Sequence, residues 1–298
     1  MATFYTQQAS NVRKTWLLMT VFLVVVVAIG YAISWYMQSP VILYVAIIFA
    51  LVMNVGSYWY SDKLVLRMTH AREAKREEFT ELYNIVENLS ITAGLPMPKV
   101  YVVNDPAPNA FATGRDPEHA VVAATTGLLA MLDRAELEGV MAHELSHVGN
   151  RDMLVMTVAV VLAGFVAMLA DFFARAMFYG GGNRDRSPVF LIIGIVGIVL
   201  APIAAKLIQV AISRKREYLA DASGALLTRY PEGLASALEK ISSYGRPMQR
   251  TSNATAHLFI SDPYGGTQKK SFGQKLNALF ATHPPAEDRI KVLREMGR

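Results

Sequence analysis

Two histidines four residues apart, with a glutamate after the first, are the residues of this chain whose types and spacing suggest chemistry. They form the motif His143-Glu-Leu-Ser-His147. Residues four apart lie on one face of an α-helix, so both imidazoles can bind a single metal ion while Glu144 faces the same cleft. Glutamate in this position is suited to act as the general base of a zinc peptidase. The spacing therefore predicts metal-assisted hydrolysis, and the alternative is an ordinary helix with two surface histidines.

The third metal ligand must come from another part of the chain, because a catalytic zinc has three protein ligands and a water. After the last apolar run, the charged stretch 213–221 places Glu217 and Asp221 one helical turn apart on one face. Glu217 could complete the ligand set, and Asp221 could orient a ligating histidine by accepting its ring N–H. The alternative is a charged helix end at a membrane interface.

A group that stabilises an oxyanion is also expected near the metal. His283, in Thr282-His-Pro-Pro285, is a candidate, although a single histidine in a turn is as often structural. The preceding loop, residues 245–273, is rich in Ser, Gly, Asn and Pro. It is either a lid over the site or a disordered connection.

Several helices and a small sheet are predicted to position these groups. Asp133 followed by Glu136 resembles a capping box, which predicts a helix that begins there and runs through the histidine motif. Residues 99–104 and 120–125 are rich in valine, are separated by turn residues, and are predicted to be strands. Residues 62–93 carry apolar side chains at helical spacing and are predicted to form one helix.

The composition indicates contact with a lipid bilayer, since 53% of the 298 residues are hydrophobic and only 18% are charged. Residues 16–37 and 40–61 each give about 22 residues without a charge, enough to cross a hydrocarbon core of about 30 Å. Residues 153–178 and 189–212 form two further runs, but Asp171 and Lys206 interrupt them. These two runs either span the membrane or form a hydrophobic hairpin buried in the protein or lying in the interface.

The distribution of basic residues predicts the orientation. Arg13 and Lys14 precede the first span and five Lys or Arg residues follow the second, so both flanks are predicted to be cytoplasmic. Three arginines in the loop near residues 180–186 run against this rule. Two crossings separate the histidine motif from Glu217 and return the chain to the same side, close to the membrane.

The predicted organisation has four parts. Residues 1–61 form an N-terminal transmembrane hairpin, and residues 62–152 form a cytoplasmic catalytic part with the histidine motif. Residues 153–212 form a second transmembrane hairpin, and residues 213–298 form a second cytoplasmic part with the third metal ligand and C-terminal helices. A transporter is disfavoured, because the sequence shows no repeated halves.

Other function classes are excluded or disfavoured by composition. The chain has no cysteine, which excludes disulfides and thiol catalysis. Its net charge of +5 is explained by Lys and Arg beside anionic lipid, and no motif supports nucleic acid binding. The oligomeric state cannot be read from the sequence.

Four motifs together resemble the HtpX family of bacterial membrane-bound zinc metalloproteases, which are related to CAAX prenyl proteases. The motifs are His143-Glu-Leu-Ser-His147 followed by Asn150-Arg-Asp152, Arg214-x-x-Glu217-x-x-x-Asp221, Asn109-Ala-Phe-Ala-Thr-Gly114, and Thr282-His-Pro-Pro285. The resemblance implies one zinc ion per chain, bound by His143, His147 and Glu217, with Glu144 as the base. It also implies a mainly α membrane protein, with four transmembrane helices and a cytoplasmic zincin-like (gluzincin) α+β catalytic domain that contains a small sheet.

The resemblance further implies an endopeptidase that cleaves misfolded or damaged membrane proteins at the cytoplasmic face of the bacterial inner membrane, in protein quality control under stress. The N-terminus and the active site would both be cytoplasmic. Asn109 and Ala110 would lie on an edge strand that pairs with the substrate backbone, and the alternative is a plain turn before a strand. Two other functions remain open, a processing protease of narrow specificity and a catalytically silent membrane scaffold. A scaffold would be expected to lack the base or a ligand, and none is missing.

Overall fold

A computed structural model describes residues 4–179, 213–249, 255–265 and 284–297. The strands are β1 (Arg72–Glu73), β2 (Lys99–Val103), β3 (Ala110–Thr113) and β4 (Val121–Thr125). The first seven helices are α1 (Phe4–Tyr36), α2 (Pro40–Trp59), α3 (Ser61–Met68), α4 (Thr80–Ala93), α5 (Thr126–Met131), α6 (Arg134–Gly149) and α7 (Asp152–Tyr179). Three more follow, α8 (Arg214–Thr228), α9 (Pro231–Ser243) and α10 (Ala286–Met296).

The first two helices pack against each other and are long and apolar enough to cross a membrane, over Gln8–Tyr36 and Pro40–Trp59. Large side chains such as Trp35 and Tyr44 are exposed on them, as expected for surfaces that contact lipid. Both predicted N-terminal spans therefore correspond to apolar helices. Helix α7 covers the third predicted run, whereas residues 189–212 lie outside the described part of the chain, so the prediction of four spans is not tested.

The prediction of one helix over residues 62–93 is wrong in its middle. Helix α3 ends at Met68, His70 adopts a left-handed conformation with φ of 53°, and β1 follows before α4 begins. The cause is a partner distant in sequence. Strand β1 pairs antiparallel with β2, and the Ala74 N–H donates to Val100 O at 2.9 Å, so this backbone satisfies its hydrogen bonds in the sheet.

The sheet has the strand order β1-β2-β4-β3. Strands β2 and β4 are the two predicted from sequence, and they pair in parallel, with Lys99 opposite Val121. Strand β3 pairs antiparallel with β4, with Phe111 opposite Ala123, and forms one edge of the sheet. Helix α6 packs beside β3, so this edge lies next to the histidine motif.

The predicted capping box at the start of α6 is confirmed. Asp133 accepts a hydrogen bond from the Glu136 N–H, and the Glu136 carboxylate accepts one from the Asp133 N–H. The same carboxylate accepts bonds from Ser236 Oγ at 2.6 Å and from Lys240 Nζ at 2.7 Å, which attach α9 to the start of α6. Burial alone would raise the pKa of Glu136, but these partners outweigh it and lower that pKa.

Two glycines allow the helices around α6 to approach closely. A Cβ on Gly139 would lie 2.6 Å from the backbone nitrogen of Leu234 in α9. A Cβ on Gly224 in α8 would lie 3.0 Å from the backbone nitrogen of His143. Only glycine fits at Gly139 without a shift of backbone, and Gly224 brings α8 directly onto the histidine motif.

We expect Gly139→Ala to destabilise the protein by about 1–3 kcal/mol, because the methyl group meets backbone that cannot rotate away. Thermal unfolding of the detergent-purified protein measures this as a lower melting temperature. The matched control is Gly56→Ala in α2, where nothing lies within 4 Å of the added methyl. A Gly139→Ala protein that melts at the wild-type temperature would contradict the close packing of α6 and α9.

Candidate metal centre

Three side-chain donors from α6 and α8 meet in the interior. His143 Nε2 and His147 Nε2 lie 3.2 Å apart, and Glu217 Oε1 lies 3.6 Å from His147 Nε2. Glu217 Oε2 lies 3.9 Å from His143 Nε2, and one donor atom from each residue falls within a group spanning 4.8 Å. Two nitrogens bound to one tetrahedral zinc at about 2.0–2.1 Å would lie roughly 3.3 Å apart. The donor set and its spacing thus fit a zinc ion.

The local structure explains why these donors converge. The spacing of four within α6 places both imidazoles on one face, and the same spacing in α8 places Glu217 and Asp221 on one face. The close approach at Gly224 then sets the two faces against each other. The structure thus brings together His143, His147 and Glu217, which belong to two half-sites far apart in sequence.

His143 is held by Asp221, the residue that the sequence analysis proposed as a partner for a ligating histidine. His143 Nδ1 lies 2.9 Å from Asp221 Oδ1, so the ring can donate there and keep the lone pair of Nε2 for a metal. Burial lowers the pKa of His143 to about 4, which leaves the ring neutral as ligation requires. Burial would raise the pKa of Asp221, but Arg289 and His143 outweigh it and lower that pKa to about 2.

His147 is held by Asp152, the first residue of α7. The His147 Nδ1 and Asp152 Oδ2 atoms lie 3.3 Å apart. Burial would lower the pKa of His147, but the carboxylates of Asp152, Glu217 and Glu144 outweigh it and raise that pKa to about 9. These carboxylates stabilise positive charge in the centre. A divalent cation and a proton therefore compete for the imidazole of His147.

Glu144 lies beside the three donors and is buried. Its carboxylate accepts a hydrogen bond from the backbone N–H of Ala112 in β3. Burial and the nearby Glu217 raise the pKa of Glu144 to about 7, although His147 and Arg289 act in the opposite direction. A carboxylate with such a pKa can both take up and release a proton near neutral pH.

Arg289 is a residue of the centre that the sequence analysis missed. It is 1% exposed, and its guanidinium donates from Nε to Asp221 Oδ2 at 2.8 Å and from Nη2 to Asp221 Oδ1 at 2.6 Å. Its Nη1 lies 3.9 Å from Glu217 Oε2. Within α10 it resembles any other charged helical residue, and the only sequence signal was its closeness to Thr282-His-Pro-Pro285. His283 itself lies outside the described residues, so its role is not tested.

The Ala110 backbone and the Asn109 side chain are already paired with a neighbouring segment, residues 255–265, whereas the Asn109 backbone bonds to Thr125. Ala110 O accepts a hydrogen bond from the Ile260 N–H at 2.9 Å. The Asn109 amide donates to Ser261 O at 3.0 Å and accepts from the Ser261 N–H at 3.2 Å. Asn109 and Ala110 therefore lie at the start of an edge strand, and the 255–265 segment covers its outer side.

Comparison with known proteins places the chain in a family. The profile of peptidase family M48 matches residues 76–297, which include both half-sites. This chain belongs to peptidase family M48. Its similarity extends further to M48 proteases named protease HtpX homolog, which match it along almost their whole length.

Three of these HtpX homologs illustrate the likeness. That of Caldanaerobacter subterraneus subsp. tengcongensis is 49% identical over 99% of this chain and 98% of its own. That of Thermoanaerobacter pseudethanolicus is also 49% identical, with the same coverage. That of Pyrococcus furiosus is 48% identical over 95% of both chains. The resemblance to HtpX proteases inferred from the motifs is thus confirmed, and with it a protease of a membrane-bound type.

A solved structure shares the fold. The crystal structure of S. mikatae Ste24p aligns with a TM-score of 0.52 and 16% identity, covering 97% of this chain and 67% of that one. At this identity the likeness concerns architecture alone. The shared architecture extends over nearly the whole of this chain.

We expect Arg289→Met to destabilise the protein by about 3–5 kcal/mol, because it leaves the buried Asp221 carboxylate without its main cationic partner. Arg294→Met, on the same helix, is the matched control. Arg294 pairs with Glu232 and Glu239 at the surface, where ion pairs contribute little. Chemical denaturation should show a large loss for the first variant and almost none for the second. If the two variants lose equal free energy of unfolding, the charge of Arg289 contributes no more than that of a surface residue, and Arg289 acts only through its packing.

Proposed function

We propose that this protein is a zinc-dependent endopeptidase of the bacterial cytoplasmic membrane that cleaves misfolded or damaged membrane proteins at the cytoplasmic face. The observation that carries the proposal is the convergence of His143, His147 and Glu217 beside the buried carboxylate of Glu144. Membership of an M48 family of HtpX proteases supports the reaction. The substrate class rests on the family resemblance.

The residues divide the chemistry between them. A zinc ion held by His143, His147 and Glu217 would supply a water of lowered pKa and a Lewis acid for the scissile carbonyl. Glu144, buried beside the three donors, takes the proton of the attacking water and delivers it to the leaving amine. Arg289 places a buried positive charge beside the same centre, where it favours negative charge on the carbonyl oxygen. His283 stays a second candidate for this role.

The proposed membrane arrangement keeps the four parts predicted from sequence. Hairpins 1–61 and 153–212 alternate with cytoplasmic catalytic parts 62–152 and 213–298, and the N-terminus is cytoplasmic. The two apolar helices α1 and α2 support the first hairpin. The contacts of α1 with the end of α6 support a centre close to the membrane surface.

We further propose that the substrate backbone adds to the outer side of β3 at Asn109 and Ala110. Because Ile260 occupies the Ala110 carbonyl and Ser261 occupies the Asn109 side-chain amide, a substrate strand must displace the 255–265 segment from them. The burial of the proposed base and ligands supports this step, since Glu144 is only 2% exposed and His147 only 5%. A peptide cannot reach the centre until some covering element moves.

The first test compares wild type with Glu144→Gln and Glu217→Ala for zinc content and for cleavage of an unfolded model protein. We expect both variants to lose cleavage. Glu144→Gln should retain zinc, because it removes only the base, whereas Glu217→Ala should bind zinc more weakly, because it removes a ligand. Removal of zinc from wild type by a chelator should abolish cleavage, and added zinc should restore it.

The outcomes separate the candidate functions. Unchanged zinc binding by Glu217→Ala would refute the assignment of the third ligand. Absence of cleavage by zinc-loaded wild type would favour a membrane scaffold. Cleavage of a single sequence among several membrane proteins would favour a processing protease of narrow specificity over quality control.

The second test concerns the displaced segment. In the Glu144→Gln protein, an uncleaved peptide substrate should accelerate hydrogen exchange at the amides of Ile260 and Ser261, because their acceptors are taken by the peptide. Amides that connect β2 and β4, such as that of Tyr101, serve as the internal control. Peptide binding without faster exchange at Ile260 would contradict strand addition at Ala110.

A further inference from the structure

The cytoplasmic end of the first membrane helix contacts the turn that ends the histidine-bearing helix. Asn11 of α1 is 2% exposed, and its Nδ2 donates to Asp152 Oδ1 at 2.6 Å and to Asn150 O at 3.1 Å. One turn earlier, Gln8 Nε2 donates to Gly149 O at 2.7 Å. The two amide side chains thus satisfy carbonyls that the end of α6 leaves without helical partners.

Asp152 connects this contact to the metal centre. Its Oδ1 faces Asn11, while its Oδ2 lies 3.3 Å from His147 Nδ1. The carboxylate is 1% exposed, Arg216 Nε lies 3.7 Å from Oδ1, and Lys14 of α1 also interacts electrostatically with it. The bond from Asn11 therefore fixes the rotation of the group that orients the second histidine.

The turn itself requires support. Arg151 adopts a left-handed conformation with φ of 56°, and α6 and α7 meet there at 83°. A residue other than glycine keeps such a backbone only where its surroundings hold it. The amide groups of Gln8 and Asn11 are bonded to the backbone just before Arg151 and to the side chain just after it, so α1 supplies part of that support.

We propose that Asn11 is a positioning residue for the metal centre, acting through Asp152 on His147. The membrane anchor then does more than hold the enzyme at the bilayer, because its cytoplasmic end sets the orientation of a ligand. The inference rests on the proposed zinc site. It does not require Asn11 to touch substrate or metal.

The test uses full-length protein in detergent and measures zinc affinity by competition with a chelator. Asn11→Leu keeps a similar volume and removes the amide. We expect it to weaken zinc binding by about 10-fold or more, the range found when outer partners of metal ligands are lost. Thr15→Val is the matched control, since Thr15 is equally buried one turn along α1 and its hydroxyl donates to Asn11 O at 3.0 Å. It should leave zinc affinity unchanged.

A double-mutant cycle separates positioning from general packing. If Asn11 acts through Asp152, zinc binding by the double variant Asn11→Leu with Asp152→Asn should be no weaker than that by Asp152→Asn alone. If the losses of zinc affinity in the two single variants instead multiply in the double variant, the proposed action of Asn11 through Asp152 would be overturned. The visible spectrum of the Co²⁺-substituted Asn11→Leu protein should also change, since a reoriented His147 alters the ligand field, whereas a purely structural role would leave it as in wild type. Should Asn11→Leu fail to fold, Asn11→Ser replaces it under the same criteria.

Two failures are distinguishable. Wild type that binds no zinc, or Glu217→Ala that binds it as wild type does, would refute the proposed function. Wild type and Glu217→Ala behaving as expected, with Asn11→Leu indistinguishable from wild type in affinity and spectrum, would refute the positioning role alone.

Discussion

Compensation of buried charge is the constraint on which the rest of the structure depends. In the described part of the chain, four carboxylates and two guanidinium groups lie buried around the centre, namely Glu144, Asp152, Glu217, Asp221, Arg216 and Arg289. Buried carboxylates are costly unless they are paired, hydrogen-bonded or bound to a metal. The two arginines offset two negative charges, and a divalent cation at the histidines would offset the remaining two. The helices α6, α7, α8 and α10 each contribute to this cluster, so their packing and the charge balance are established together.

The centre is also buried, although the proposed function requires it to accept a polypeptide. The proposed base and ligands are buried, and the edge of the sheet beside them is paired within the chain. Enclosure strengthens the electrostatic interactions inside, because less water screens them. It also keeps the pKa of Glu144 near neutrality, which a solvated carboxylate would not reach. The same burial that prepares the chemistry therefore restricts access to it.

Sequence reasoning recovered the features whose signals are local. The histidine motif, the capping box at Asp133 and the spacing of Glu217 and Asp221 each follow from helical geometry within a few residues. The pairing of the two half-sites followed from counting predicted membrane crossings. Arg289 could not be found this way, because its role arises from a contact with Asp221 that is 68 positions away in the chain. The helix predicted over 62–93 failed for the same reason, since β1 exists only because β2 provides hydrogen-bond partners.

The sharp turn after α6 has a consequence for where the enzyme can cut. Only Asn150 and Arg151 separate the helix of the histidine motif from α7, whose apolar sequence begins at Met153. With α7 in the bilayer as predicted, so short a joint leaves no freedom to change the height of the centre above the lipid. The enzyme would then cleave bonds only at a fixed distance from the membrane surface. A cytoplasmic tail could be trimmed only where it passes close to the membrane surface, and bonds held farther out by a folded domain would be spared until that domain collapsed toward the lipid.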